Sequence, residues 1–196
     1  MNADQRSRRF VILDRDGTIN FERDHLSDPE ELELIPGAAR GLREIRDLGL
    51  GLVIVTNQSV VGRGLVDHAG LEEIHTRLLV MLAEEGATVD GVYYCPHTPD
   101  QGCSCRKPEP ELVWRAARDL GFDPARSFLV GDHHTDVEMG RAVGATTILV
   151  KTGHWTEGDS IAGEGPDHVA ADLEEAADII RKLVAREERD EHARPS

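Results

Sequence analysis

Four groups of polar residues in this chain suit ion binding and acid–base chemistry. The first, Asp14-Arg15-Asp16-Gly17-Thr18, comes directly after the apolar run Phe10-Val11-Ile12-Leu13. Two carboxylates two positions apart can share one cation, or act separately as a nucleophile and as a general acid or base. The second group, Thr56-Asn57-Gln58-Ser59, follows another apolar run and offers hydroxyl and amide groups that suit phosphate oxygens.

The other two groups add positive charge and further carboxylates. Arg106-Lys107-Pro108 places two cations side by side, and Gly131-Asp132 is followed by Asp136 four residues later. Taken alone, each group has an ordinary structural explanation, because an Asp after a strand is commonly a turn or helix cap and polar loops are common. Together they supply carboxylates, hydroxyls and a cation, which indicates an Mg²⁺ site beside a phosphate site.

Short apolar runs alternate with amphipathic segments of helical length along the chain. The predicted strands are 10–13, 52–55, 92–94, 127–130 and 147–150, with an edge strand at 167–170. The predicted helices lie between Gly37 and Gly49 and at 67–85, 111–120, 135–143 and 172–185. In the second helix we expect a buried stripe formed by Leu71, Ile74, Leu78, Leu79 and Leu82. This alternation predicts an α/β fold, a doubly wound, Rossmann-like parallel sheet that binds ligands at the carboxyl ends of its strands.

All three cysteines of the chain fall in one short segment together with a histidine. The pattern is Cys95-Pro96-His97, five residues, and then Cys103-Ser104-Cys105. Three thiolates and one imidazole form a complete tetrahedral set for Zn²⁺ without an open position, so such a site would be structural. Buried or redox-active cysteines are the alternative, but they do not explain the clustering. An ordered zinc loop would also place Arg106 and Lys107, which follow directly.

Composition narrows the possible functions. The chain has 196 residues and a net charge of −15, which predicts one domain over residues 8–185 and argues against nucleic acid or an anionic membrane as a partner. No apolar run reaches the ~20 residues that span a bilayer. The polar N-terminus does not resemble a signal peptide, so we expect a cytoplasmic protein. No protein partner is predicted and a monomer is favoured, while the charged tail 186–196 is expected to fray.

The four polar groups together resemble the four motifs of the haloacid dehalogenase-like phosphohydrolases, over about residues 10–150. This resemblance implies that Asp14 attacks phosphorus to form an aspartyl-phosphate and that Asp16 is the general acid and base. It further implies that Thr56 and Lys107 hold the phosphoryl oxygens. Mg²⁺ would be bound by Asp14, Asp132 and the backbone carbonyl of Asp16. For Asp136, orientation of Lys107, contact with a metal-bound water and capping of a helix all remain open.

The zinc segment resembles a small branch that contains heptose-1,7-bisphosphate 7-phosphatases and histidinol-phosphate phosphatases. The motifs around Thr56–Ser59 and Cys105–Pro108 resemble the heptose enzymes more closely, which implies removal of the 7-phosphate of D-glycero-D-manno-heptose 1,7-bisphosphate. Arg106 could then contact the distal phosphate. Histidinol phosphate is the alternative substrate, and a catalytically idle, zinc-ordered binding module is the alternative from another class.

The segments between the motifs leave no room for a cap domain, so a capless enzyme is predicted. The loops after the strands would then form the specificity surface. In these loops we expect Glu22 and His25 to be solvated, and we favour surface packing over a place on the pocket rim for His154 and Trp155.

Overall fold

The computed structural model describes residues 8–154 and 165–192, which form a single parallel sheet with helices on both faces. Its strands are β1 (Phe10–Leu13), β2 (Gly51–Asn57), β3 (Gly91–Cys95), β4 (Phe128–Gly131), β5 (Thr146–Val150) and β6 (His168–Ala170). They lie in the order β3-β2-β1-β4-β5-β6. The predicted strands are therefore all present, each within a residue or two of its predicted bounds.

The helices match the predicted segments, with small additions. They are α1 (Ala38–Asp47), α2 (Ser59–Gly62), α3 (His68–Glu84), α4 (Glu111–Leu120), α5 (His134–Ala142) and α6 (Leu173–His192). The one-turn α2 and three short 3₁₀ helices at 29–31, 99–101 and 124–126 were not predicted. A single turn is too short to show a helical repeat in the sequence, which explains why they were missed.

Helix α6 begins where the sequence predicts and ends later. Asp172 accepts a hydrogen bond from the Glu175 amide, as expected for the predicted cap. The helix then continues to His192 rather than ending near Ala185. Within the added turns, Glu187 forms an ion pair with Arg9, the residue before β1. Residues 193–196 of the predicted tail lie outside the described residues.

Two hydrophobic cores lie on opposite faces of the sheet. Val11 and Leu13 pack into one core with α1, α3 and α6, and Phe10 and Ile12 pack into the other with α4 and α5. Successive residues of a strand point to opposite faces, so a continuous apolar run fits a strand that is covered on both sides. The prediction of a doubly wound α/β sheet is confirmed.

The buried stripe of α3 differs from the prediction at one position. Leu71, Ile74, Leu78 and Leu82 are buried, but Leu79 is 38% exposed. At 100° per residue, Leu79 lies roughly 80° around the helix from Leu71, at the margin of the apolar face. The fifth buried residue of this helix is a polar one, His75.

The strand order reverses direction at β1, which places a crevice at its carboxyl end. β1 pairs with β2 on one side and with β4 on the other, and all pairs are parallel. Ligands of doubly wound sheets bind at this switch point. The described residues contain no domain-sized insertion that would cover the crevice, in agreement with the capless prediction. No helix among them is apolar over enough of its length to span a bilayer.

Candidate active site

A buried lysine joins two carboxylates at the centre of the crevice. Asp14 directly follows β1, and its amide donates a hydrogen bond to the Val130 carbonyl of β4 (2.9 Å). Lys107 Nζ lies 2.7 Å from Asp14 Oδ1 and 2.8 Å from Asp136 Oδ1. Lys107 and Asp136 are buried. The structure thus brings together three predicted residues that are distant in sequence.

Burial and charge set the protonation of this group. Burial raises the pKa of Asp14 to about 6, and the positive charge of Lys107 opposes that rise. Burial also opposes the charge of Lys107, but the carboxylates of Asp136 and Asp14 outweigh it and raise the pKa of Lys107. At neutral pH Lys107 is therefore a cation and Asp14 a carboxylate.

Asp132, at the end of β4, completes a cluster of carboxylates. Its Oδ2 accepts a hydrogen bond from the His154 amide (2.8 Å), and its Oδ1 lies 3.4 Å from the Thr18 hydroxyl. Ligand oxygens of Asp14, Asp132 and Asp136 lie within 4.8 Å of one another. Three carboxylates and a single lysine leave an excess of negative charge in a buried place. The donor set therefore fits a hard divalent cation such as Mg²⁺.

Asp136 makes two of the contacts that the sequence left open. Its Oδ1 accepts a hydrogen bond from Lys107. Its Oδ2 accepts a hydrogen bond from the His133 amide at 3.2 Å, which caps α5. Asp136 therefore orients Lys107 and caps the helix at the same time.

Asp16 is held by a set of donors that the sequence did not predict. Arg15 contacts both Asp16 oxygens, at 2.8 and 2.7 Å from Nη2 and at 3.0 Å from Nε. Asn20 donates to Oδ1 (2.8 Å) and Gln58 Nε2 to Oδ2 (2.7 Å). Burial opposes ionisation of Asp16, yet Arg15 and these hydrogen bonds together hold its pKa below the usual range. In the sequence, Arg15 is only the residue between two Asp residues.

Two glycines allow the loops to approach Asp132 closely. A Cβ at Gly17 or Gly153 would overlap the Asp132 carboxylate, and Gly17 also has a positive φ of +72°. The Thr152 hydroxyl donates to the Gly17 carbonyl (2.6 Å), which fastens the loop after β5 to the loop after β1. The close approach of Asp132 explains both glycines, and the positive φ is a second reason for glycine at position 17. Nothing in the sequence pointed to Thr152 or Gly153.

The predicted phosphate-binding residues surround a cavity of about 310 Å³ above Asp14. Thr56 and Arg106 line it, and Asn57 exchanges two hydrogen bonds with the Lys107 backbone, at 3.0 and 3.3 Å. Gln58 donates to the Thr56 hydroxyl (2.9 Å) as well as to Asp16. Ser59 lines a neighbouring cavity of about 160 Å³. The predicted set therefore occupies two adjoining cavities.

Residues that the sequence treated as surface also line the larger cavity. Glu22, expected to be solvated, lies between the two cavities, and burial together with the charges of Asp16, Asp132 and Asp14 raises its pKa to about 8. His133 and His154 are on the wall as well, although surface packing was the favoured interpretation of His154. Trp155, considered with His154 as a rim residue, lies outside the described residues.

The four candidate zinc ligands converge at one point beside this cavity. The three Sγ atoms of Cys95, Cys103 and Cys105 are 3.2–3.6 Å apart, and His97 Nδ1 lies 3.5 Å from Cys95 Sγ and 3.3 Å from Cys105 Sγ. Zn–S bonds of about 2.3 Å in a tetrahedron separate sulfurs by about 3.8 Å, so the donor set fits Zn²⁺. Arg106 Nη1 donates to the His97 carbonyl (3.0 Å), which links the loop to the cavity wall.

The sheet, the carboxylates after β1 and β4, and the buried lysine define a hydrolase of the haloacid dehalogenase-like class. A family model described as HAD-hydrolase-like matches residues 104–176. The chain is 37% identical over 177 residues to the D-glycero-beta-D-manno-heptose-1,7-bisphosphate 7-phosphatase of Pseudomonas putida, with 90% of this chain and 99% of the relative covered. A relative of the same name from Pseudomonas aeruginosa is 40% identical, over 75% of this chain and 83% of its own length.

A solved structure agrees with these relatives. The crystal structure of D,D-heptose 1,7-bisphosphate phosphatase from B. bronchiseptica, complexed with magnesium and phosphate, has a TM-score of 0.80 to this chain at 33% identity, covering 89% of this chain and 99% of that one. The chain therefore belongs to the heptose-bisphosphate phosphatase family of haloacid dehalogenase-like hydrolases. The predictions of the superfamily and of a phosphoric monoester hydrolase are confirmed.

Proposed function

We propose that this protein removes the 7-phosphate of D-glycero-D-manno-heptose 1,7-bisphosphate, a step of nucleotide-heptose biosynthesis. The observation that carries this proposal is the buried Lys107 ammonium, 2.7 Å from Asp14, in a cavity that also contains Thr56 and Arg106. This arrangement supports Asp14 as the nucleophile, Thr56 and Lys107 as the groups that bind the phosphoryl oxygens, and Arg106 as a second cation for the ligand. The names of the relatives supply the substrate.

In the first step, an Asp14 oxygen attacks the phosphorus of the 7-phosphate, and the bond from phosphorus to the sugar oxygen breaks. Asp16 gives a proton to that oxygen, which leaves as the sugar hydroxyl. The negative charge of the incoming phosphate raises the proton affinity of Asp16 and so favours its acid form in the complex. An aspartyl-phosphate remains on Asp14.

In the second step, Asp16 takes a proton from water as the water oxygen attacks the aspartyl-phosphate. The bond from phosphorus to the Asp14 oxygen breaks, which releases inorganic phosphate and restores both carboxyl groups. Thr56 and Lys107 hold the phosphoryl oxygens through both steps, because positioning and charge account for most of phosphoryl-transfer catalysis. The open, capless cavity admits the water that hydrolysis requires.

Mg²⁺ is the proposed catalytic cofactor, held by the side chains of Asp14 and Asp132 and by the Asp16 carbonyl. When bound, it neutralises charge on the phosphoryl oxygens. Zn²⁺ is the proposed structural cofactor, held by Cys95, His97, Cys103 and Cys105 (the four convergent ligands). All of these residues come from one chain, so the proposal requires no partner subunit.

The distal 1-phosphate is assigned to Arg106, which lies on the cavity wall and is oriented by the zinc loop. Asn57, Gln58 and Ser59 would contact the sugar or support Thr56.

Arg106→Ala is expected to raise KM for the bisphosphate about ten-fold or more and to leave KM for heptose 7-phosphate nearly unchanged, since a charged hydrogen bond is lost only with the first substrate. Zinc analysis of the variant checks that the loop is intact.

The proposed function is tested by phosphate release with Mg²⁺ on both anomers of the heptose bisphosphate, on histidinol phosphate and on 4-nitrophenyl phosphate. The largest kcat/KM is expected for a heptose bisphosphate, and the relatives' names favour the β anomer. Preference for histidinol phosphate would replace the substrate and keep the chemistry. Activity on the aryl phosphate alone would refute both substrates. No activity in folded, zinc-loaded protein would support the idle binding module.

A further inference from the structure

Gln58 directly follows β2 and lies between two residues that have different roles in the proposed reaction. It is buried, with only 3% of its surface exposed. Its side-chain nitrogen Nε2 donates one hydrogen bond to Asp16 Oδ2 (2.7 Å) and another to the Thr56 hydroxyl (2.9 Å). An amide nitrogen carries two hydrogens, so both are used within the protein and neither serves a ligand.

The chemistry of the two neighbours fixes the direction of both hydrogen bonds. The Asp16 carboxylate only accepts hydrogen bonds, because Arg15 and its other donors keep it ionised. The end of the amide that faces it is therefore the NH2 group rather than the carbonyl oxygen. The second hydrogen of that group is donated to Thr56 Oγ1, so the hydrogen of the Thr56 hydroxyl is left for another acceptor. Since Thr56 lines the cavity above Asp14, a phosphoryl oxygen bound there can accept it.

The backbone of Gln58 is fastened to the end of β3. The Gln58 amide nitrogen donates a hydrogen bond to the Cys95 carbonyl (2.7 Å), and the Gly62 amide nitrogen, at the end of α2, donates one to the Pro96 carbonyl (2.9 Å). The contact between α2 and this segment is close, since a Cβ at Gly62 would lie 2.7 Å from the Pro96 oxygen. The side chain of Gln58 therefore extends from a backbone that is itself held in place.

We propose that Gln58 is a positioning residue that holds the general acid Asp16 and the phosphoryl-binding hydroxyl of Thr56 at a fixed separation. The bond that breaks joins the phosphorus, whose oxygen Thr56 binds, to the sugar oxygen, which Asp16 protonates. A link between these two side chains keeps the Asp16 proton aligned with the leaving oxygen while the phosphoryl group is held. This inference rests on the proposed function, in which Asp16 and Thr56 have these roles.

The test measures how strongly the rate depends on the leaving group. The value of kcat/KM covers the steps up to departure of the leaving group, and it is measured for the heptose bisphosphate, glycerol 3-phosphate, phenyl phosphate and 4-nitrophenyl phosphate. An alkyl oxygen needs the Asp16 proton in order to leave, whereas 4-nitrophenolate leaves without one. Gln58→Met keeps the length of the side chain and removes both donors. Gln58→Asn keeps the amide on a side chain one methylene shorter, which is expected to reach only one of the two partners.

Gln58→Met is expected to lower kcat/KM about three-fold for 4-nitrophenyl phosphate, through loss of the hydrogen bond to Thr56, and about thirty-fold for the two alkyl esters. The additional ten-fold loss, roughly, belongs to the general acid, and it is smaller than the whole effect of general acid catalysis because Arg15 and Asn20 still hold Asp16. A plot of log kcat/KM against the pKa of the leaving group should therefore be steeper than for the wild-type protein, with Gln58→Asn between the two.

Val53→Ala is the matched control for a loss of stability without a change in the hydrogen bonds. Val53 lies on β2, as Thr56 does, and is buried in the hydrophobic core with Phe10 and Ile12. Loss of its methyl groups should lower the Tm and leave the slope of the plot unchanged.

Several results would overturn the inference. Equal losses on all four esters would show that Gln58 supports only the fold or the phosphoryl site, and a higher KM with unchanged kcat would place Gln58 on the ligand instead. If Gln58→Met does not fold, Gln58→Asn decides, and a wild-type slope in that variant refutes the inference. If the wild-type protein ignores the heptose bisphosphate, the proposed function fails separately, and the other three esters still test Gln58.

Discussion

At the scale of single residues, the active site contains carboxyl groups in buried positions, where ionisation is unfavourable. Burial raises the pKa of both Asp14 and Asp132 to about 6. The charge of Asp14 is offset by Lys107, which contacts it directly. Asp14 is therefore a carboxylate that is poorly solvated and well oriented, as a nucleophile should be.

Asp14→Asn should abolish phosphatase activity, by at least about a thousand-fold, because an amide cannot form the acyl-phosphate. The fold and zinc content should be unchanged, since Asn is nearly the same size and Lys107 keeps its contact with Asp136. Phosphate release, Tm and elemental analysis measure the three quantities. Turnover comparable to the wild-type protein would exclude Asp14 as the nucleophile.

Substitution of Gly17 and of Gly49 distinguishes the effect of backbone strain from the effect of a clash with Asp132. Both have positive φ, +72° and +80°, but only Gly17 lies against Asp132, while Gly49 has open space where a Cβ would stand. Each change to Ala should cost about 1 kcal/mol of stability through strain. Gly17→Ala should in addition reduce kcat about ten-fold or more, because it displaces a proposed metal ligand. Urea unfolding measures the loss of stability, and steady-state kinetics measure kcat. A wild-type kcat in both variants would contradict the expected effect of Gly17→Ala.

The residues found from the sequence and those missed differ in a physical way. Asp14 and Asp132 directly follow strands, and Lys107 stands next to a second cation, so residue type and position were enough to single them out. Arg15 is buried and contacts both oxygens of Asp16, but nothing in its position in the sequence distinguishes it from a solvated arginine. Leu79 shows the same limit, because the helical repeat places it near the buried face but tertiary packing leaves it exposed.

At the scale of elements, the loop from Cys95 to Cys105 connects the end of β3 to the cavity wall. It contains a 3₁₀ turn at Pro99–Gln101, which a capping box between Thr98 and Gln101 closes. A zinc ion bound by its four candidate ligands would fix the conformation of this loop. Arg106 and Lys107 are the next two residues in the sequence, so the same ion would fix their position. Metal binding in such a loop contributes directly to folding free energy.

Cys103→Ser should release zinc, lower the Tm by roughly 5 °C or more, and reduce kcat/KM through misplacement of Arg106 and Lys107. Ser104→Ala is the control, since Ser104 is exposed and lies between two ligands in the same loop. Zinc per protein by elemental analysis, Tm and kinetics are measured for both variants. An unchanged zinc content in Cys103→Ser would argue against the four-ligand site.

The elements themselves were largely predictable, because buried parallel strands read as continuous apolar runs and the long helices as amphipathic repeats. What the sequence could not show was set by contacts between distant segments. The ion pair of Arg9 with Glu187 joins the last turns of α6 to the residue before β1, and the hydrogen bond from Thr152 to Gly17 joins the loop after β5 to the site. Both depend on the finished tertiary structure.

At the scale of the whole molecule, the carboxylate cluster links stability to pH and to metal. Asp14 and Asp132 have folded-state pKa values near about 6, above the ordinary value of 3.8. Between these two pH values the folded protein binds more protons than the unfolded chain, so the metal-free protein loses stability as the pH rises through that window. The net charge of −15 at neutral pH also destabilises the folded protein, because like charges repel one another in the compact state.

Mg²⁺ should reverse this dependence, because it binds the ionised carboxylates and so stabilises only the folded protein. The increase in Tm on adding several millimolar Mg²⁺ should be larger at about pH 7.5 than at about pH 5, where protons compete for Asp14 and Asp132. Asp132→Asn, as control, should lose most of the increase at both pH values while keeping its zinc. Differential scanning calorimetry with and without Mg²⁺ makes the measurement. An equal shift at the two pH values, or one that survives in Asp132→Asn, would place the cation away from this cluster.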